Sequence, residues 1–238
     1  MKLDILCIGA HPDDVELGCA GTIAKHVGEG KLVGILDLTQ GEMGTRGSII
    51  IRQKEAEAAK ITLGVAYRKI LTMPDSKLEL TVENKMLLAA HIRLLQPDLL
   101  LINAPTDRHP DHGKACQLAL EANFIAGLSK MELHFDNILL PAWRTKGCFS
   151  YIQDQYLQPT LVIDITSCMD KKMEAIKAFK SQFFDENSIE PETPISSSDF
   201  LPFIEARSRE MGRKIKKTFG EGFIAHQLPN VNSLFDIV

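Results

Sequence analysis

The chain opens with Leu3-Asp4-Ile5-Leu6-Cys7-Ile8-Gly9-Ala10-His11-Pro12-Asp13-Asp14, an apolar run that breaks into His-Pro-Asp-Asp. Leu3 to Gly9 is a short apolar run, as expected of a β-strand buried on both faces. Pro12 stops further sheet pairing and fixes the turn. Two adjacent carboxylates at a strand end repel each other unless a cation is near. The pattern returns further on. Asp98 to Asn103 (DLLLIN) reads as another buried strand, followed by the polar stretch Ala104-Pro105-Thr106-Asp107-Arg108 and then His109-Pro110-Asp111-His112. Alone, the first motif is an Asp-rich turn capping a helix, and the second is a solvated loop. Repeated after two strands, they gather three histidines and three aspartates. That is the inventory of a mononuclear zinc hydrolase, with nitrogen and oxygen ligands and one position left for water. The two histidines of the second motif can share a metal, or one can bind it while the other hydrogen-bonds the reacting group.

Between and around these turns the chain alternates. A helix is expected from about Val15 to about Val27, a strand over Lys31 to Leu38, and a Gly-rich loop, Gln40 to Ser48, leading into a helix that runs to about Leu63. Tyr67 to Met73 is a weaker strand. Thr81-x-x-Asn84 opens a helix that stops before Pro97, and a further helix follows the second motif through about Ala126. This alternation implies an α/β fold, a Rossmann-like doubly wound, mostly parallel sheet with helices on both faces. With strand order 3-2-1-4, the first and fourth strands are neighbours, and both His-Pro-Asp turns face one crevice beyond their carboxyl ends. In the second half, Asn137 to Ala142 and Pro159 to Ile165 read as strands. Met169 to Gln182 reads as an amphipathic helix with Ile176 and Phe179 toward the core. Glu186 to Asp199 reads as a mobile polar loop, and Phe200 to Phe219 as a last helix. With no internal repeat and no linker, residues 1–238 are expected to form a single domain.

Composition narrows the function classes. A net charge of -4 and 6% aromatic residues give no footprint for nucleic acid. No secretory leader pattern opens the chain and no apolar run approaches a membrane span. The five cysteines are odd in number and scattered, as in a reducing, cytoplasmic setting. In the Gly-rich loop, Arg46, with Arg52 just beyond it, offers guanidinium to a carboxylate or phosphate. The glycines bring backbone close to a neighbour or supply positive φ. His26, His91 and His134 are expected to bind no metal. Arg207 to Lys217 reads as one solvated helix face, Trp143 as a packing residue, and His226 has no assignment. A non-catalytic nucleotide-binding module is the alternative from another class. Asp37 at the end of the second strand suits a ribose contact, but Gly9-Ala10-His11-Pro12 lacks the G-x-G-x-x-G phosphate cradle.

On Ala10-His11-Pro12-Asp13-Asp14 and His109-Pro110-Asp111-His112 the chain resembles the LmbE-like, or PIG-L, family of zinc-dependent N-acetylglucosamine deacetylases. Gly41-Glu42-Met43-Gly44-Thr45-Arg46-Gly47 with Arg52 and Glu55, Ala206-Arg207-Ser208-Arg209, and Gly220-Glu221-Gly222-Phe223 are similar to the bacillithiol biosynthesis branch. The resemblance implies His11, Asp14 and His112 as ligands of one zinc ion per chain, with iron or cobalt as alternatives. It implies Asp13 as general base and His109 as oxyanion stabiliser held by Asp111. It further implies Glu42, Arg46, Arg52 and Arg108 at the substrate, whose two malate carboxylates would engage the arginines. The implied reaction is hydrolysis of the N-acetyl group of N-acetylglucosaminyl malate. The alternative within the family is another N-acetylglucosamine conjugate or a chitin-type oligomer. The partner is then a small amino-sugar substrate, and relatives suggest a homo-oligomer, trimer or hexamer. Some members use a C-terminal tyrosine on the intermediate. Here the tyrosines are Tyr67, Tyr151 and Tyr156, and Phe200 and Phe203 occupy the candidate region.

Overall fold

Leu3 to Gly9 folds as the sequence dictates: β1 (Ile5–Gly9) is buried at every position, in the middle of a seven-stranded sheet. The computed structural model describes residues 1–183, 186, 188–233 and 235. Along the chain follow α1 (Asp14–Gly28), β2 (Val33–Asp37), α2 (Ile49–Leu63), β3 (Tyr67–Ile70), α3 (Val82–Leu95), β4 (Leu99–Ile102) and α4 (Pro110–Ala126). Then come β5 (His134–Phe135), β6 (Ile138–Leu139), β7 (Gly147–Tyr151), β8 (Leu161–Asp164), α5 (Met169–Lys177), α6 (Phe200–Lys214) and β9 (Gly220–Ala225). The main sheet runs β3-β2-β1-β4-β7-β9-β8, with the expected 3-2-1-4 order at its start. β1 to β4 and β7 are parallel, and β9 is antiparallel to both β7 and β8.

Side chains alternate across the sheet, as the two-residue period requires. Leu6 and Ile8 pack with Leu36, Leu100, Leu88 and Ala115 beneath α3 and α4. Ile5 and Cys7 pack on the other face with Val15, Cys19 and Ile23 of α1. Burial of each such Leu or Ile is worth roughly 1.5–3 kcal/mol, so a one-residue slip of β1 would exchange both cores. Local signals set the helix ends. Thr81 Oγ1 accepts the Asn84 N–H at 3.2 Å, and Ser48 Oγ accepts that of Ile51 at 3.3 Å. Gly64 closes α2 at φ 74. Ile176 and Phe179 are fully buried. No helix among the described residues is long and apolar enough to cross a membrane.

Three expectations for the second half are corrected, and two strands, β7 and β9, were not foreseen. The strand expected over 137–142 reduces to Ile138–Leu139, paired only with His134–Phe135 outside the main sheet. The helix from Met169 ends at Lys177 rather than Gln182. The last helix ends at Lys214, because Lys216 turns to φ 60 and the N–H of Lys217 folds back on Gly212. The strands β7 and β9 carry no continuous apolar run. β9 holds a buried charge, Glu221, which accepts the N–H groups of Gly21 and Thr22 where α1 is kinked at Cys19. Lys172 Nζ meets it at 2.7 Å. Of the loop expected over 186–199, Asn187 lies outside the described residues, and the others form neither strand nor helix before α6.

Candidate active site

Because β1 and β4 are adjacent and parallel, the β1–α1 and β4–α4 turns emerge side by side. His11, His109 and His112 meet there, with ring centroids 4.5 Å (His11–His109), 5.6 Å (His11–His112) and 5.4 Å (His109–His112) apart. Their ring nitrogens come within 4.8 Å of one another. Asp14, the first residue of α1, lies between two of them. Its Oδ1 is 3.1 Å from His112 Nε2 and its Oδ2 3.5 Å from His11 Nδ1. The carboxylate also accepts the His11 N–H at 2.9 Å, Asn103 Nδ2 at 3.1 Å and Gln153 Nε2 at 2.7 Å.

The far nitrogen of each ring is held by a further carboxylate. His11 Nε2 is 3.0 Å from Asp75 Oδ1, and His112 Nδ1 is 2.7 Å from Asp107 Oδ2. Imidazoles that bind metal are oriented in this way, the second N–H fixing the tautomer and leaving the other nitrogen's lone pair free. His11, Asp14 and His112 therefore fit a divalent ion that takes nitrogen and oxygen ligands. Burial disfavours charge on His112, but the Asp14 charge and hydrogen bonds to Asp107 and Asp14 outweigh it, raising its pKa to about 9.

Asp13 precedes this cluster at φ 114, a strained conformation for a non-glycine residue. Its carboxylate is buried, 3.3 Å from Arg52 Nη2, and Arg52 also donates to Pro12 O and, at 2.6 Å, to Gln182 Oε1. Burial pushes the Asp13 carboxyl up to about 7, against the pull of Arg52 and with the Asp14 charge adding to the rise. His109 caps α4, its Nδ1 accepting the Asp111 N–H at 3.2 Å. With Nδ1 accepting, the ring is neutral and Nε2 carries the proton. Burial and the neighbouring His11 and His112 lower its pKa.

Several expected contacts are made elsewhere. The Asp111 carboxylate does not brace His109. Its Oδ2 accepts the Ser76 N–H at 2.7 Å and stands 3.6 Å from His11 Nε2, because the helix turn carries it behind the first motif. The Glu42 carboxylate accepts the N–H groups of Gln40 and Asp75 within the loop wall. Arg46 is buried against Phe183 O and Ser188 Oγ, with Glu190 at 3.7 Å, and does not line the cavity. Arg52 and Arg108 do line it, Arg52 spent on Asp13 and Arg108 half-exposed against Asp154. Of the stretch Arg207 to Lys217, Arg209, Arg213, Lys214, Lys216 and Lys217 are exposed as expected, whereas Arg207 is only partly so. It donates to Asp154 O and lies over the Phe203 ring at 4.7 Å. Asp37 pairs with Arg68 at 2.8 Å and is fully buried, which leaves no ribose contact to make. Trp143 donates to Pro97 O at 2.7 Å, and His226 Nε2 meets Ser150 Oγ at 2.8 Å.

Sequence reading missed Asp75, Asp107, Asn103, Gln153 and Gln182. Asp75, Asn103 and Gln153 each follow a strand that ends at the crevice, the one signal that could have found them. The resulting cavity of about 210 Å³ is walled by both motifs, by Gly41, Met43 and Gly44, by Thr193 to Ile195, and by Phe200 and Ile204. Gly41 takes φ 67, and a Cβ there would lie 3.0 Å from the Arg52 guanidinium carbon. The loop glycines thus do both things expected of them.

Residues 6–123 match the PIG-L family, described as GlcNAc-PI de-N-acetylase. The chain is 33% identical over 191 residues to a diacetylchitobiose deacetylase of Thermococcus kodakarensis, covering 75% of this chain and 70% of that one. Among solved structures, the conserved protein TT1542 of Thermus thermophilus superposes with a TM-score of 0.85 at 33% identity, over 98% of both chains. The N,N'-diacetylchitobiose deacetylase of Pyrococcus horikoshii, complexed with an inhibitor, gives 0.78 at 29% identity, over 98% of this chain and 88% of that one.

Proposed function

Because the chain belongs to the PIG-L, LmbE-like family, we propose that it is a metal-dependent N-deacetylase of an N-acetylglucosaminyl conjugate, its residues 1–238 acting as one catalytic domain. The observation that carries this reading is the convergence of His11 Nδ1 and His112 Nε2 on Asp14, each ring braced from behind by a carboxylate. His11, Asp14 and His112 would hold zinc, which when bound acidifies water and polarises the amide carbonyl. Asp13 stands beside these ligands and is left free to move protons. Its carboxylate takes a proton from the attacking water and returns it to the leaving amine, so that amide and water become amine and acetate. His109 Nε2–H points its proton at the developing oxyanion, an interaction typically worth about 3–4 kcal/mol. Arg52 keeps the Asp13 carboxylate in place. Cavity walls drawn from residue 11 to residue 204 support one catalytic unit.

Within this class the finer reading is N-acetylglucosaminyl malate, the substrate of the bacillithiol branch. It is supported by the Gly41 to Gly47 motif and by Arg108 at the cavity rim. The 33% identity to a diacetylchitobiose deacetylase favours a second reading, a chitin-type oligomer. Incubation with each compound, assayed for free amine and acetate with zinc, with chelator, and after zinc is restored, separates them. Turnover of neither compound refutes both substrate readings, and turnover insensitive to chelator refutes the metal.

A further inference from the structure

Asp75 lies just beyond β3, in the turn Pro74-Asp75-Ser76, and is 5% exposed. Its two carboxylate oxygens serve two different loops. Oδ1 faces His11 Nε2 at 3.0 Å, and Oδ2 accepts the N–H of Met43 in the Gly-rich loop at 2.9 Å. The lacing is reciprocal, since Glu42 Oε1 accepts the N–H of Asp75 at 2.8 Å. Ser76 sits at φ 62, a strained position for serine, and donates its N–H to Asp111 at 2.7 Å. One short turn thus joins the first motif, the Gly-rich loop and the second motif.

We infer that Asp75 is a positioning residue: it selects the His11 tautomer that presents Nδ1 to the metal, and it ties that ring to the Gly-rich loop over the substrate cavity. The inference rests on the metal reading above and goes beyond it. Imidazole has two nitrogens, and only the one without a proton can bind a metal. A carboxylate at Nε2 keeps the proton there. Asp111 stands farther off, 3.6 Å from the same nitrogen and beyond hydrogen-bond distance, with its Oδ2 accepting the Ser76 N–H. Asp75 also has one rigid carboxyl group for two partners. A shift of the Met43 N–H on the cavity wall therefore turns the carboxylate that holds His11. By reciprocity, an ion that fixes His11 also fixes the loop.

The test uses the full chain as wild type, Asp75→Ala and Asp75→Asn. Zinc affinity is read by competition with a chelator, and amide hydrogen exchange over residues 40–44 is read with and without zinc. Asp75→Ala is expected to bind zinc about 10- to 100-fold more weakly and to lose the zinc-dependent protection at Met43 and Gly44. Asp75→Asn, which keeps an acceptor for the His11 N–H, is expected to fall between it and wild type. If the alanine variant does not fold, the asparagine variant decides. Wild-type zinc affinity in the variants with only KM raised would overturn the inference and make Asp75 a substrate contact. Absence of zinc binding in wild type would sink the metal reading itself, a result distinct from either.

Discussion

Replacing Asp13 with Asn isolates proton transfer from metal binding. Asparagine keeps the volume of the side chain and tolerates positive φ, so the φ of 114 at this position costs little more than before. Alanine would add strain of order 1–3 kcal/mol and confuse the result. The variant also leaves Arg52 with Pro12 O and Gln182 Oε1 as acceptors, so the guanidinium is not orphaned. Fold and zinc content should therefore stay at wild-type level. The rate should not. A positioned acid or base contributes typically ~10²–10⁴-fold, and Asp13 is used twice, on the attacking water and on the leaving amine. The expected loss in kcat is about 10³- to 10⁴-fold, or about 4–5.5 kcal/mol of barrier. Steady-state release of acetate, with metal content measured on the same sample, provides the assay. A variant with full zinc and a near-wild-type kcat would refute the assignment. A variant that loses its zinc would place Asp13 among the ligands instead.

Arg93→Met removes a buried guanidinium that donates to the carbonyls of Ala126, Leu128, Met131 and Leu140. Leaving such acceptors without a donor should cost about 3–5 kcal/mol. Melting should drop by roughly 6–20 °C, with the kcat of the surviving folded enzyme unchanged; an unaltered melting temperature would show that water replaces the four bonds. His91 is 1% exposed with its Nδ1 unpartnered, and burial, aided by Lys69, lowers its pKa to about 4. The unfolded chain then takes up a proton below pH ~6.5 that the folded chain refuses until about 4. This stability is fully present above pH ~6.5 and falls by about 3 kcal/mol as pH drops to about 4. His91→Leu should remove that acid-labile component in urea titrations, and parallel pH curves for the two proteins would refute it. Arg46→Ala should raise KM several-fold, equally for the malate conjugate and for an uncharged analogue, because Arg46 holds the chain at Phe183 and Ser188 rather than a carboxylate. A selective loss for the malate conjugate would restore Arg46 to the substrate.

Much of the first half of the fold was legible because its central strands, Ile5 to Gly9 and Leu99 to Ile102, read as unbroken apolar runs. Helix starts were legible where a cap declared them, at Ser48 and Thr81. Gly147 to Tyr151 and Gly220 to Ala225 were not, since serine in one and a buried Glu221 in the other break the apolar pattern. Glu221 is tolerable in a strand only because Lys172 and the kinked backbone of α1 reach it from residues far away in sequence. The motif residues were legible as a set, but the direction of each side chain was not. Arg46 and Arg52 sit only six positions apart, yet one supports a loop and the other the Asp13 carboxylate.

The residues that sequence reading missed are the ones that complete the electrostatics of the site. Each motif by itself offers a few carboxylates and imidazoles that water could satisfy. Folding adds Asp75 and Asp107 behind the rings and brings Asp13, Asp14 and Asp111 around them, five carboxylates of which Asp13 is held by the buried guanidinium of Arg52. Buried carboxylates stay ionised only beside compensating positive charge. The same negative field that raises His112 to about 9 also attracts a divalent ion, and proton and ion compete for one lone pair. Asp75 and Asp107 stand at the ring nitrogens that face away from Asp14, which leaves His11 Nδ1 and His112 Nε2 directed at its carboxylate. The proposed metal site thus belongs to the crevice between β1 and β4, created only when strands far apart in sequence are laid side by side.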